Sequence, residues 1–221
     1  MGEAEIDVTQ QQLIIHAHIF TYGNAADPTI TEQIRDEIET MWNEPHAIIF
    51  VQRLPLLIQF KITAEHRPHL HELEVYQNIN PRNNYFRIEE FVHGNISFVD
   101  GIGSNTGYFK LENLYKGSTT AAHEFGHTLG LDHPNIMDLR GQGRPGIMYP
   151  RGTLVDAHFQ YDPAIQAGFT GGTMHPMHRT VQPQDIENLK LSKLRFKEGQ
   201  AVVGGFTNIY HWDHANQTFI T

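Results

Sequence analysis

Apolar side chains occupy six of the eight positions in LIIHAHIF, residues 13–20, and the run ends at Tyr22-Gly23-Asn24. Such a short apolar block closed by a turn signal predicts a buried strand. The period then changes. Asp27-Pro28 sets a capping carboxylate before a proline at the first helical position, and Ile30, Ile34, Ile38 and Met41 recur at helical spacing among charged residues. An amphipathic helix to about Trp42 follows.

Beyond Asn43-Glu44-Pro45, residues 47–51 and the alternating Leu56, Ile58, Phe60 and Ile62 predict two further strands, with Pro55 near the turn between them. Residues 85–92 and 95–99 predict two more, separated by His93-Gly94. A strand, a helix and then several strands amount to a twisted mixed sheet backed by the early helix, in the α+β or α/β class.

From Gly130 to Thr180 the periodicity disappears and Gly, Pro, Asp, Met and His take over. An irregular segment of that length inside one domain points to function. A helix is expected to start near Pro183, with Ile186 and Leu189 on one face, and the alternation in AVVGGF and NIYHW predicts a hairpin in the tail, residues 197–221. No apolar run reaches the roughly 18 residues that cross a bilayer. The first twelve residues lack the basic and apolar regions of a secretory leader.

Composition narrows the chemistry. A chain of 221 residues is enough for one domain, or one domain split by a cleft. Its net charge of −9, without basic clusters, argues against a nucleic-acid partner and leaves protein, peptide or small-molecule partners open. With no cysteine, there is no disulfide, and any metal must be held by His, Asp or Glu.

HEFGHTLGLDH, residues 123–133, meets that condition. Cap residues at 117–120 and the apolar Ala121, Ala122, Phe125 and Leu129 place it on a helix, so His123 and His127 stack at i and i+4. Both imidazoles can ligate one tetrahedral Zn²⁺, while Glu124 stands beside the ion without ligating it. Gly130 can take the left-handed conformation that ends the helix and returns His133 to the same ion. Three neutral imidazoles leave a fourth position for water, whose proton such an ion makes labile near neutral pH. Glu124 is then the candidate general base and acid. Given fifteen histidines, fifteen glutamates and nineteen glycines in the chain, chance would yield H-E-x-x-H-x-x-G-x-x-H at odds of about a few in ten thousand, so the pattern is specific.

HEFGHTLGLDH resembles the zinc signature of the metzincin metallopeptidases, and GIMYP, residues 146–150, resembles their Met-turn in its matrixin form. The resemblance implies an α+β fold with a cleft between an upper subdomain (about 1–130) and a lower one (about 131–196) closed by a helix at 183–194. It implies one catalytic zinc on His123, His127 and His133, Met148 as the hydrophobic floor, and a zinc endopeptidase that binds protein or peptide substrates extended across the cleft, in a secreted setting. Residues 151–180, notably 159–161 and 174–176, would then line the pocket for the side chain after the cleaved bond. Two other functions stay open: a zinc-holding peptide-binding module without hydrolysis, and the protease part of a delivered toxin or effector. The intact Glu124 favours the enzyme.

Some features depart from the matrixin pattern. Fifteen positions separate His133 from Met148, Pro134 follows His133 as in serralysin-like members, and matrixin latency through cysteine is excluded. Met137 is a weaker Met-turn candidate, lacking the Tyr-Pro continuation. His66, His69 and His71 could form a second metal site, but a solvated loop is the plainer account, as a surface position is for His175 and His178. Residues 100–105 could hold Ca²⁺, although a single carboxylate favours a plain turn. Oligomeric state is left open.

Overall fold

In the computed structural model, which describes residues 1–51 and 53–216, the chain opens on two antiparallel strands, β1 (Gly2–Asp7) and β2 (Gln12–Tyr22). The apolar run 13–20 is the middle of β2. β1 leaves little trace in the apolar pattern, because it presents only Ala4 and Ile6 and depends on its neighbours for burial.

Helix α1 (Pro28–Asn43) starts where the sequence predicts, with the Asp27 carboxylate accepting the Ile30 N–H at 2.7 Å. It buries Ile30, Ile34, Ile38 and Trp42. Strands β3 (Ile48–Val51) and β4 (Leu54–His66) follow as an antiparallel pair, and then the short helix α2 (Glu72–Tyr76) and β5 (Asn83–Glu89). The strand expected over 95–99 shrinks to β6 (Phe98–Val99), because Gly94 and Asn95 take positive φ (80° and 59°) in a tight helical turn at residues 93–95. β7 (Thr106–Lys110) leads to helix α3 (Thr120–Thr128).

The sheet runs β3-β4-β2-β5-β7-β6, with β2, β4, β5 and β7 parallel and β3 and β6 antiparallel at the two ends. One side of β2 is shared, its first half pairing with β1 and its second with β5. α1 packs on β4 and β2 and against α3. The interlock consists of Trp42, Phe60 and Phe125, with ring centroids 5.3–6.5 Å apart. This mixed sheet with few helices is α+β.

Residues 130–180 hold no strand or α-helix and gather a small second core around Leu139, Val155 and Met174. Helix α4 (Pro183–Asn188) is shorter than its expected span, since Lys190 turns left-handed (φ 53°) and a single helical turn at 191–193 completes the segment. The described part of the tail forms one strand, β8 (Gln200–Val203), and its partner is β1, not a second tail strand; residues 217–221 lie outside the described residues. Among the described residues no helix is long and apolar enough to cross a membrane.

Candidate metal centre and active site

Helix α3 begins after Thr119, whose φ of 59° turns the chain sharply inward. Glu37 of α1 caps it, accepting the Ala122 N–H at 3.2 Å, and burial pushes that carboxyl above its ordinary pKa. Trp42 Nε1–H donates to the Ala122 carbonyl at 3.0 Å. α1 thus fixes α3 with both a cap and a ring.

One turn apart on α3 stand His123 and His127. The helix ends at Gly130, whose φ of 102° is left-handed, with Gly130 N–H bonded to His127 O (3.0 Å) and Leu131 N–H to Gly126 O (3.1 Å). The turn brings His133 back to the helix.

The imidazoles are oriented by the backbone. His123 Nδ1 lies 2.7 Å from Ile147 O and His127 Nδ1 lies 2.7 Å from Leu131 O. A carbonyl can only accept, so each Nδ1 carries the proton and each Nε2 presents its lone pair. Those two Nε2 atoms stand 3.2 and 3.1 Å from His133 Nε2. Nitrogens 2.0–2.1 Å from a tetrahedral Zn²⁺ would be about 3.3–3.4 Å apart, so the spacing fits a common ion. Burial lowers the pKa of all three imidazoles and favours the neutral, ligating form. Among the described residues this is the one group of three or more His, Asp or Glu whose ligand atoms converge.

Behind His123 lies a further layer. Asp185 of α4 accepts the Gln182 N–H at 2.8 Å and the Ile147 N–H, holding the segment whose carbonyl orients His123. Met148, next in that segment, is buried against α3: a Cβ at Gly126 would lie 2.3 Å from Met148 Sδ and 3.1 Å from the Trp42 ring. Gly126→Ala is therefore expected to be destabilising. Overpacking costs about 1–3 kcal/mol while the helix gains about 1 kcal/mol from Ala, leaving a net loss of up to about 2 kcal/mol. A denaturation midpoint at or above that of wild type would show that Met148 is not packed there.

Glu124 points into a cleft of about 510 Å³, whose walls include the three histidines, Phe98 and Val99 of β6, and Pro150, Arg151 and Arg179. Burial pushes its carboxyl up to about 8, opposed by Arg179, the Val99 N–H and Arg151. A divalent cation would act in the same downward direction. Arg179 is 3% exposed. Burial draws its guanidinium down to about 10, so it is still a cation at neutral pH.

The other candidate residues do not join this site. His71 caps α2, its Nδ1 accepting the Leu73 N–H at 3.2 Å, and among the described residues no metal cluster forms with His66 or His69. His175 packs on Tyr161 and His178 on Phe159, and neither histidine lines the cleft. Nor do 159–161 and 174–176: Phe159 and Met174 belong to the small second core, and the cleft wall uses Arg151, Gly152 and Arg179 of that stretch. The Asp100 carboxylate, the only one in the candidate Ca²⁺ loop, bonds to Thr106 Oγ1 and His211 Nε2 at 2.5 and 2.8 Å. Met137 is half-buried, its carbonyl accepting the Leu154 N–H. No local pattern marks Glu37 or Arg179, whose partners lie far along the chain, and the capping box of Gln182 and Asp185 gives no sign of the distant Ile147 N–H that Asp185 also accepts.

No family model matches the chain. Serralysin G of Dickeya chrysanthemi is 34% identical over 98 residues, 42% of this chain and 20% of that protein. The chain thus spans about a fifth of this relative's length. Among solved structures, archaemetzincin from Methanopyrus kandleri aligns with a TM-score of 0.42 and 11% identity over 80% of this chain and 95% of that one. Myroilysin aligns at 0.30 and 13%, over 65% and 60%. The chain resembles metzincin metallopeptidases through its serralysin relative and its convergent histidine triad.

Proposed function

We propose that this chain is a zinc-dependent endopeptidase of metzincin type, acting on protein or peptide substrates. The observation that carries the reading is the convergence of three Nε2 atoms, two of them on rings whose Nδ1–H is already committed to a carbonyl, beside a buried glutamate in an open cleft. His123, His127 and His133 would hold Zn²⁺, with Met148 as the floor beneath α3. When bound, the ion supplies a water acidic enough to lose its proton near neutral pH. Glu124 would serve as the base that accepts a proton from the attacking water and as the acid that returns it to the leaving amine.

An extended peptide would lie along the end strand β6, which pairs with β7 alone among the described strands and whose Phe98 and Val99 line the cleft, where it would compete with Glu124 for the Val99 N–H. The cleft divides residues up to about 130 from 131–196, and the described tail belongs with the former through β8. A secreted setting goes with this proposal on the family resemblance.

The test is elemental analysis combined with a broad peptide and casein panel. One zinc per chain is expected, released by acid or strong chelators because three imidazoles must stay deprotonated to hold it. Cleavage should follow metal content. A chain without stoichiometric zinc, and without activity when zinc is added, overturns the proposal. A zinc-loaded chain that cleaves nothing in the panel supports the non-hydrolytic binding module instead.

A further inference from the structure

One wall of the cleft has donors that the hydrolytic reading does not use. Arg179 donates through Nε to Thr119 Oγ1 (2.9 Å), through Nη1 to Tyr149 O (3.3 Å) and through Nη2 to Ser118 O (3.5 Å). All three acceptors are neutral, and a guanidinium has five N–H groups. A buried cation bonded only to neutral oxygens is costly, and its place at the cleft lets an incoming anion offset that cost.

The nearby carboxylates are otherwise engaged. Glu124 is the carboxylate whose charge favours Arg179 most and Glu37 comes after it, but neither is hydrogen-bonded to the guanidinium: Glu37 accepts from the backbone at the start of α3 and Glu124 from the Val99 N–H. Arg151, exposed in the same wall, adds a second cation, tethered by Nη2 to Asn113 Oδ1 at 2.9 Å. Thr120, 5% exposed, also lines this wall, and its buried hydroxyl has no hydrogen-bond partner among the described residues. Two guanidinium groups and a spare hydroxyl together make a receptor for a planar anion.

We infer that the Thr120–Arg151–Arg179 wall binds a carboxylate of the substrate, so that the peptidase favours peptides with a carboxylate close to the bond it cleaves, on a side chain or at the C-terminus of a peptide cut near its end. This rests on the proposed peptidase activity for its meaning, although the recognition itself can be read without turnover.

The experiment uses three matched peptide sets: Glu at each position near the scissile bond with an amidated C-terminus, Gln at the same positions, and neutral peptides with a free C-terminal carboxylate. kcat/KM is measured on the zinc-loaded chain, and binding by fluorescence anisotropy on zinc-loaded Glu124→Gln. The charge-assisted bonds should favour a carboxylate by about 10–100-fold at one position in both assays. Preference for the first set identifies a side-chain carboxylate, and preference for the third a terminal one.

Arg179→Met should bring the ratio close to unity. Should that variant fail to fold, Arg151→Gln and Thr120→Val carry the test, since one alters an exposed side chain and the other removes an unpartnered hydroxyl. Each should lower the ratio by about threefold or more. Carboxylate and neutral peptides bound alike or not at all, or rates falling equally for both in the variants, would overturn the inference. Absence of cleavage from every set, with the binding preference intact, would instead remove the peptidase proposal and leave the carboxylate site standing.

Discussion

Glu124→Gln is expected to abolish nearly all peptide cleavage while leaving zinc content and the folded structure as they are. The substitution preserves side-chain volume, keeps an oxygen to accept the Val99 N–H, and leaves His123, His127 and His133 untouched. What it removes is the group proposed to take the proton from water and return it to the amine. General acid–base assistance is typically worth about 10²–10⁴ in rate, and one residue serving both halves of the reaction places the loss at or above the upper end. The checks are kcat/KM on the best peptide of the panel, zinc by elemental analysis, and the thermal midpoint. If the variant cleaves as fast as wild type, the mechanism is wrong even though the histidines converge.

Removing a ligand should have the opposite profile. His133→Ala or His127→Ala is expected to weaken zinc by a factor on the order of 10²–10³, because the about 10–16 kcal/mol of apparent affinity at structural zinc sites with four protein ligands gives about 2.5–4 kcal/mol per ligand. Competition with a chromogenic chelator measures it directly. His133 lies on the loop after α3, so its loss should spare the helix and its packing. His175→Ala and His178→Ala should leave affinity within about twofold, since neither ring reaches the cleft. A large loss from either would mean that the ligand set is misassigned.

The two predictions rest on parts of the molecule that differ in how far sequence alone defines them. Helix α1 was legible because its signals are local: Asp27 caps it, Pro28 starts it, and isoleucines four residues apart make its buried stripe. β2 and β4 were legible from apolar runs long enough to require burial on a sheet. For α3, the i, i+4 histidines and Gly130 set both the ligand spacing and the turn that returns His133, because helix pitch and left-handed φ are properties of a few consecutive residues.

What sequence could not supply depends on chain segments meeting across long separations. β1 is a strand because it pairs with β2 and β8, and its own apolar content is too small to reveal it; the apolar AVV of β8 is legible, but not that its partner is β1. The end strand β6 lost three expected residues to left-handed Gly94 and Asn95, a choice made by the turn and not by hydropathy. In residues 130–180 the fold decided which side chains reach the cleft: Arg151 and Arg179 do, whereas Phe159, Met174, His175 and His178 do not. Local physics within eleven residues thus determined the spacing of the histidines, and only the packing of α1, α4 and the irregular segment around α3 decided what holds, orients and charges the site. Caps, turns and helical pitch act over a few bonds, while burial and ion pairing exist only once distant segments have closed around each other.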